Sequence, residues 1–470
     1  MIFPRIGNGI SAKRRSPIYR RGVSIERANR NPELSSTQKI ILSFVVLIVS
    51  GTFLLRLPAA SRSGERAPFM TALFTAFTTV CVNGTTYGDI VSQWSGFGQA
   101  VLVLLMEIGG LGYMSAAALL FIFFKREFNM EQRIVMAEML NLDDIGEIEH
   151  HQHQVLQISI LTQLLGALIL MFRFIPEFGL GKAAWYGVFH AVSAFSNCGI
   201  DLFGEAGITR FSEDPVVLLT LSALIIFGGL GFVVIAQVNP VERHRRKNLY
   251  TKLVIYMTIG LIFGGTLAFG ILEWNNPETL GGMSLPMKLL NAFFESVTCR
   301  SAGMASFSQN AMSDSSEAIA MLLMLIGGSS NSTAGGVKTV TLAILLLYIR
   351  ARLRSRNRVV IAGRTISNEQ VLDAMTLTGI LCVLSLFGGF FINHSSRCGL
   401  GTALFTAVST LTTTGFTYIP PTLLSLSSQI LLLFFMFFGR IGVLSISMSF
   451  FIRNRAEERI SYPNAKLLIG

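Results

Sequence analysis

The chain has 470 residues, of which 51% are hydrophobic and only 14% charged. A soluble globule carries about 25% charged residues, so an ordinary soluble domain is excluded. The net charge of +11 does not point to nucleic acid, because Lys and Arg are clustered between or beyond long apolar runs.

Taken from the N-terminus, residues 1–39 are polar and basic, with nine Lys/Arg and no apolar core of a signal peptide. The first apolar run, 40–55, is therefore expected to stay in the membrane. Runs at 100–124, 216–238 and 430–451 are near or above the ~20 residues that cross a bilayer as a helix. Lipid offers unpaired backbone groups no water, which makes these runs helices. Further basic clusters hold five Lys/Arg in 243–252, six in 350–364 and four in 453–466. This positive-inside pattern puts both termini in the cytoplasm, where the clusters can also meet anionic lipid headgroups.

An internal repeat organises the chain. FTAFTTVCVNG (74–84), FHAVSAFSNCG (189–199), FFESVTCRSAG (293–303) and FTAVSTLTTTG (405–415) align without gaps. Each places Phe ten residues before Gly: Phe74 and Gly84, Phe189 and Gly199, Phe293 and Gly303, Phe405 and Gly415. A second signature follows each time, as Gly109-Gly110, Gly228-Gly229, Gly327-Gly328 and Gly439-Arg440. Repeats of this length mean one structural unit used several times. Each unit reads as outer helix, short apolar helix, glycine loop, inner helix. Outer helices are expected near 38–56, 153–175, 251–273 and 370–393, and inner helices near 95–124, 214–238, 316–349 and 425–452. Short segments such as 68–80 and 182–195 are too short to span and suit re-entrant helices.

The expected fold is an all-α polytopic membrane protein. Four M1–P-loop–M2 repeats, with eight transmembrane helices and four re-entrant pore helices, surround a pseudo-fourfold pore. The divisions are a basic cytoplasmic segment (1–37), repeat 1 (38–126), a cytoplasmic loop (127–152), repeat 2 (153–240), repeat 3 (241–366), and repeat 4 with a C-terminal tail (367–470).

Irregular backbone at membrane depth is tolerated only where it is buried in protein or lines a water-filled path. Four such loops can meet on one axis and replace a cation's hydration shell with carbonyl oxygens. Glycine permits φ > 0 there and adds no side chain. The short helices aim their partially negative C-terminal ends the same way. The expected filter is Val82, Asn83 and Gly84 in the first loop and Asn197, Cys198 and Gly199 in the second. Ser301, Ala302 and Gly303 follow in the third, then Thr413, Thr414 and Gly415 in the fourth. With no ring of Asp or Glu at the glycines, such a filter favours a monovalent, weakly hydrated ion. The GG pairs read as helix packing, except in the third repeat.

That repeat carries GGSSNSTAGG at 327–336 inside an apolar stretch. The segment cannot face lipid and is expected to form an irregular loop under the filter, able to block the path. It comprises Gly327, Gly328, Ser329, Ser330, Asn331, Ser332, Thr333, Ala334, Gly335 and Gly336. Lys338 follows it and closes it on the cytosolic side. With the filter elsewhere, deleting residues 329–333 is expected to raise flux and leave selectivity unaltered. Arg440 replaces the second glycine of the fourth pair. An ionisable residue inside a span is costly and usually faces a polar interior. It is expected to pin the 327–336 loop closed.

Other candidates read as structural. His150, His151 and His153 follow an acidic stretch without matching spaced ligands, as in a solvated loop. Cys81, Cys198 and Cys299 read as small buried filler, and the five cysteines of the chain contain no CxxC pair. Glu107 and Glu295, inside membrane helices, are open as proton or sodium sites or as paired structural carboxylates. No HExxH, GxSxG or paired-Asp motif supports an enzyme.

These residues resemble the Trk/Ktr/HKT superfamily of potassium transporters over about 38–470. The lack of extra helices before the first repeat and the ending SYPNAKLLIG are more similar to the Ktr-type membrane subunit. The resemblance implies K+ as the transported ion, Na+ as an activating ion and no covalently bound cofactor. It also implies a homodimer with one pore per protomer, in a plasma or inner membrane, on a cytosolic ring of nucleotide-binding regulatory subunits. Finally, it names 327–336 an intramembrane gating loop. In that family Ser at the first filter position goes with sodium permeation, so Gly84 implies potassium. Asn83, where the family often has Thr, and Met304, where it often has a bulkier residue, depart from the pattern.

Overall fold

Prolines and short polar caps set where the helices begin. In the computed structural model, which describes residues 36–111, 148–231, 234, 235, 237, 249–330, 332–356 and 358–442, Pro68 precedes the short helix Phe69–Val80. Asp214 caps Pro215–Leu230, accepting from the amides of Val216 at 3.0 Å and Val217 at 3.2 Å. Ser313 and Ser425 cap Asp314–Leu325 and Leu426–Ile441 in the same manner, and Ser367 with Gln370 forms a capping box ahead of Asn368–Ser396. Each cap satisfies amides that the first helical turn leaves unpaired.

Four helices among the described residues are long and apolar enough to cross a membrane. They begin with Gln38–Leu55 and Gln154–Phe195, followed by Leu249–Leu272 and Asn368–Ser396. The second belongs to a continuous element, Ile148–Phe195, broken at Gly179, whose φ of 73° and ψ of 163° lie outside the helical region. The break separates the expected outer helix from the expected short one. Phe53, Leu164, Phe172, Tyr256, Phe263 and Val383 are more than half exposed on these helices, an apolar outer surface that suits lipid. The chain is mostly helical, with several apolar helices.

The inner helices are described over Gly96–Leu111, Pro215–Leu230, Asp314–Leu325 with Thr339–Leu353, and Leu426–Ile441. Their expected continuations at 112–124, 238 and 443–452 lie outside the described residues. So do the basic segment before Ser36, most of the 127–152 loop, the basic stretch 243–248, Asn331 and the tail beyond Gly442. One departure from an all-α chain is a two-stranded antiparallel hairpin, Val360–Ile361 with Arg364–Thr365. Ala362 and Gly363 between them both take positive φ, 48° and 77°, the backbone of a tight type I′ turn.

Packing follows a cycle. Three outer helices lie against the short helices that follow them, and in the second repeat a Cβ on Gly187 would stand 2.6 Å from the Ala167 carbonyl oxygen. Gly96–Leu111 then packs on the 148–195 element and Pro215–Leu230 on the short helix Leu285–Thr298. Asp314–Leu325 packs on Leu400–Leu411, and Leu426–Ile441 returns to Phe69–Val80. Lipid is as apolar as the helices, so close backbone approach and polar contacts select these partners. A Cβ on Gly109 would stand 2.2 Å from the Val80 carbonyl oxygen, one on Gly228 1.9 Å from that of Phe195, and one on Gly439 2.1 Å from that of Leu411. All three glycines press on the end of a short helix. Gly327 instead meets the Gly335 carbonyl of its own segment, at 1.8 Å. Phe74, Phe189 and Phe405 are fully buried, as their shared phase implies; in the third segment Phe294 takes that place and Phe293 is half-buried.

Candidate functional site

Three of the four short helices end in the same way. Asn83 N–H donates to the Thr78 carbonyl, Cys198 N–H to Ser193 and Thr414 N–H to Ser409, all at 2.8 Å. This six-to-one bond needs a left-handed residue just before it. Val82, Asn197 and Thr413 supply it at φ of 53°, 58° and 54°. In the third, Ser301 is left-handed at 78°, and Ala302 and Gly303 both donate to the Thr298 carbonyl, at 2.9 and 3.2 Å. These caps use the amides of the loops and leave their carbonyls free for other partners.

Two residues further on, Gly84, Gly199, Gly303 and Gly415 again have positive φ, at 91°, 77°, 69° and 97°. Asn83, Cys198, Ala302 and Thr414 between them do not. The four loops meet one another in a ring. A Cβ on Gly84 would lie 2.1 Å from the Cys198 carbonyl oxygen, and one on Gly199 2.2 Å from that of Ala302. On Gly303 it would lie 2.0 Å from the Thr414 oxygen, and on Gly415 2.2 Å from that of Asn83, which closes the cycle. The four glycines are partly exposed while the two residues before each are buried. All twelve expected filter residues are thus brought together.

Polar side chains brace the ring from behind. Asn83 Nδ2 donates to the Thr410 carbonyl at 2.9 Å, and Thr85 Oγ1 donates to Asn83 Oδ1 at 2.6 Å. His190 accepts the Leu202 amide on Nε2 at 3.2 Å, with Nδ1 2.7 Å from the Tyr186 carbonyl, a pair that fixes a neutral ring with its proton on Nδ1. Asn197, although 1% exposed, has no partner for either amide atom among the described residues. Beyond the second loop stands Asp201. Burial lifts its carboxyl to about 6, against the Phe203 amide that donates to it, and the charge of Asp89 adds to the rise.

The 327–336 segment interrupts its helix between Leu325 and Thr339, directly beside the loops. The Ser329 and Thr333 amides donate to the carbonyls of Gly229 and Gly228, at 3.0 and 3.3 Å. Tyr250 Oη donates to the Ser330 carbonyl at 3.1 Å and Thr339 N–H to that of Gly328 at 3.0 Å. Ser332 Oγ donates to the Ser329 carbonyl at 2.6 Å, and Gly336 is left-handed at 71°. Lys338 Nζ donates to the Ala334 carbonyl at 2.6 Å. Arg440 donates to the Thr333 carbonyl with Nη1, and with Nη2 to the carbonyls of Gly109 and, at 2.7 Å, Gly110. It therefore ties the segment to the first inner helix. Sequence reasoning missed Arg300, which is 7% exposed and donates to the Gly327 carbonyl at 3.3 Å. Its signal was present, as a charged residue one position before a filter residue. Among the described residues no carboxylate forms an ion pair with Arg300, Lys338 or Arg440.

Glu107 and Glu295 are not paired with each other. Gln163 Nε2 donates to both Glu107 oxygens, at 3.2 and 3.0 Å. Glu295 is fully buried, with Oε1 accepting from Gln309 Nε2 at 2.9 Å. Glu295 Oε2 and Gln309 Oε1 both lack partners; a proton on Oε2 would serve both, as in an acid–amide pair. Glu295→Gln supplies a permanent donor there and is expected to leave ion uptake within about twofold of wild type. Glu295→Ala, which strands Gln309, is expected to cost roughly 1–3 kcal/mol of thermal stability in detergent. A wild-type-like Ala variant, or an inactive Gln one, contradicts this assignment. The cysteines at 81, 198 and 299 are free and buried. No group of three or more His, Cys, Asp or Glu among the described residues is placed to hold a metal. The side chains of His150, His151 and His153 lie outside the described residues.

A family model described as TrkH, a cation transport protein, matches residues 25–460. The potassium/sodium uptake protein NtpJ of Enterococcus hirae is 36% identical over 453 residues, covering 95% of this chain and 100% of that protein. Ktr system potassium uptake protein B of Bacillus subtilis is 31% identical over 433 residues, with coverages of 92% and 96%. The crystal structure of the potassium transporter TrkH from Vibrio parahaemolyticus superposes with a TM-score of 0.70 at 14% identity, over 90% of this chain and 86% of that one. That last likeness concerns the fold alone.

Proposed function

Since the chain belongs to the TrkH cation-transport family, we propose that it is the pore-forming membrane subunit of a potassium uptake system. Four M1–P-loop–M2 repeats, with eight spans in all, surround a pseudo-fourfold axis. Potassium passes through a ring of backbone carbonyls contributed by the four loops. The observation that carries this reading is the closed cycle of glycine-to-carbonyl contacts from Gly84 through Gly415 back to Asn83. A ring of carbonyls at fixed spacing replaces the water of a large monovalent cation. A divalent ion gives up its water more reluctantly.

The 327–336 segment is the gate. Arg300, Lys338 and Arg440 hold three of its carbonyls, and their charge, which no carboxylate among the described residues pairs, opposes a cation below the ring. The word system in the name of Ktr system potassium uptake protein B fits a subunit that works with partners, and the resemblance to the Ktr-type subunit adds further parts to the reading. These are Na+ as an activating ion and a cytosolic ring of nucleotide-binding subunits that moves the gate in a homodimer. Both termini lie in the cytoplasm in this reading, which the positive-inside pattern of the basic clusters supports.

A sodium- or proton-coupled symporter on the same fold is the second reading, favoured by the word sodium in the name of NtpJ. Radioactive rubidium uptake into proteoliposomes under an imposed voltage separates the two. A pore accumulates rubidium on voltage alone, to the same extent without a sodium or pH gradient. Uptake that stops when both gradients are removed means coupled transport, and no rubidium uptake under any gradient overturns the potassium reading.

A further inference from the structure

Ser301 lies two residues before Gly303, fully buried and in the left-handed conformation. Its Oγ is 3.0 Å from the Thr412 carbonyl oxygen, 3.1 Å from that of Thr413, 3.2 Å from Thr413 Oγ1 and 2.9 Å from the Gly335 amide nitrogen. A hydroxyl has one proton to give and two lone pairs to offer. The Gly335 N–H can only donate, so it takes one lone pair. The Ser301 proton goes to the adjacent carbonyls of Thr412 and Thr413, and the Thr413 hydroxyl takes the second lone pair. Every bonding position of this hydroxyl is filled, and its partners come from two elements, the fourth loop and the 327–336 segment. Gly335 presses on the same seam: a Cβ there would lie 2.3 Å from Thr413 Oγ1 and 2.7 Å from the Thr412 oxygen. At the matching place in the first loop Val82 has no hydroxyl. In the second, Asn197 has an amide without partners among the described residues.

We propose that the Ser301 hydroxyl couples the position of the 327–336 segment to the ion preference of the carbonyl ring, so that freeing the segment alters selectivity as well as rate. This rests on the pore reading above. With the segment in place, Gly335 N–H donates into Oγ, and a hydroxyl that accepts a bond donates its own proton more strongly. That proton is shared between the Thr412 and Thr413 oxygens, and Thr413 is one of the expected filter carbonyls a cation at this level needs. When the segment leaves, the Gly335 bond goes with it. The hydroxyl then donates more weakly and can turn away, and the carbonyls of the fourth loop recover their pull on the ion. The closed and open forms therefore differ in how the ring weighs one monovalent cation against another. The simpler expectation, that a shortened segment leaves selectivity alone because the filter is elsewhere, ignores this shared hydroxyl.

The test uses the full chain in proteoliposomes, reading the ratio of rubidium to sodium in competition uptake. Four proteins are compared: wild type, Ser301→Ala, a deletion of residues 329–333, and the combination. The deletion is expected to shift the ratio by roughly two- to tenfold, the span that one net hydrogen bond covers. Ser301→Ala is expected to shift it in the same direction, and the combination no further than the larger single change. Effects that multiply in the combination, or an unaltered ratio in Ser301→Ala, overturn the coupling. Ser301→Thr keeps the hydroxyl in the left-handed region that Thr413, at φ 54°, also occupies in the fourth loop. It is expected to keep the wild-type ratio and its response to the deletion, which separates loss of the hydroxyl from a damaged fold. The gate itself is read from rate alone. A deletion that conducts no faster than wild type overturns the gating reading, while the ratios still decide the coupling.

Discussion

Gly84→Ser is expected to lower rubidium uptake at least about tenfold and to erase most of the preference over sodium. Two effects act together. The φ of 91° is one that L side chains rarely adopt and costs on the order of 1–3 kcal/mol. The new Cβ would also stand 2.1 Å from the Cys198 carbonyl oxygen, which is backbone and cannot rotate aside. The ring must open at the first–second seam, and a carbonyl that moves by a fraction of an ångström no longer fits the ion it was spaced for. Since the Cβ rather than the hydroxyl does the damage, Gly84→Ala is expected to behave much like Gly84→Ser. Competition uptake on both variants checks this. Wild-type selectivity in either one means that Gly84 does not line the path.

Arg440→Ala is expected to act in the opposite direction, raising uptake in the absence of any partner by roughly tenfold to a hundredfold. The guanidinium donates to one carbonyl of the 327–336 segment and two of the first inner helix. A hydrogen bond from a charged group is worth about 1.5–3 kcal/mol, and the loss of one shifts a closed–open equilibrium by that range. Removing the charge adds to the gain. At an effective dielectric of ~20, unit charges ~6 Å apart repel by roughly 3 kcal/mol, less where water screens them. Arg440→Lys keeps the charge but not the planar fork that reaches three carbonyls, and should fall between. An Arg440→Ala protein that is inserted, folded and no faster than wild type without a partner removes the pinning role.

The four glycines were legible because their role is conformational: positions that must be free of Cβ leave a spacing in the sequence. The outer helices were legible because lipid demands long apolar runs. Val82, Asn197, Ser301 and Thr413 were not read as left-handed. Their side chains differ, and valine is among the residues least suited to positive φ. Only the cap around each, and not its own chemistry, holds it there. Arg440 stood out as a charge in an apolar helix, and its bond to Thr333 was foreseeable; the Gly109 and Gly110 carbonyls on its other side were not, because they come from 330 residues away. Arg300 escaped notice because it sits among small polar residues, where a charge raises no alarm. The Ser301–Gly335 bond joins two segments that each look complete alone. The hairpin at 360–365 was hidden by an alanine in a turn position that usually signals itself with Asn or Asp.

The cyclic order of the loops also bears on synthesis. The seam between Gly415 and Asn83 joins the last loop to the first, and Asn83 Nδ2 meets a carbonyl 327 positions further along the chain. A ribosome has to add residue 415 before the ring has its fourth member. Until then the first and third loops, which carry Val82 and Ser301, each have an open side, while the second already has both of its neighbours. Three loops short of a fourth therefore coexist while residues 304–415 are added, and only the fourth repeat turns them into a closed ring.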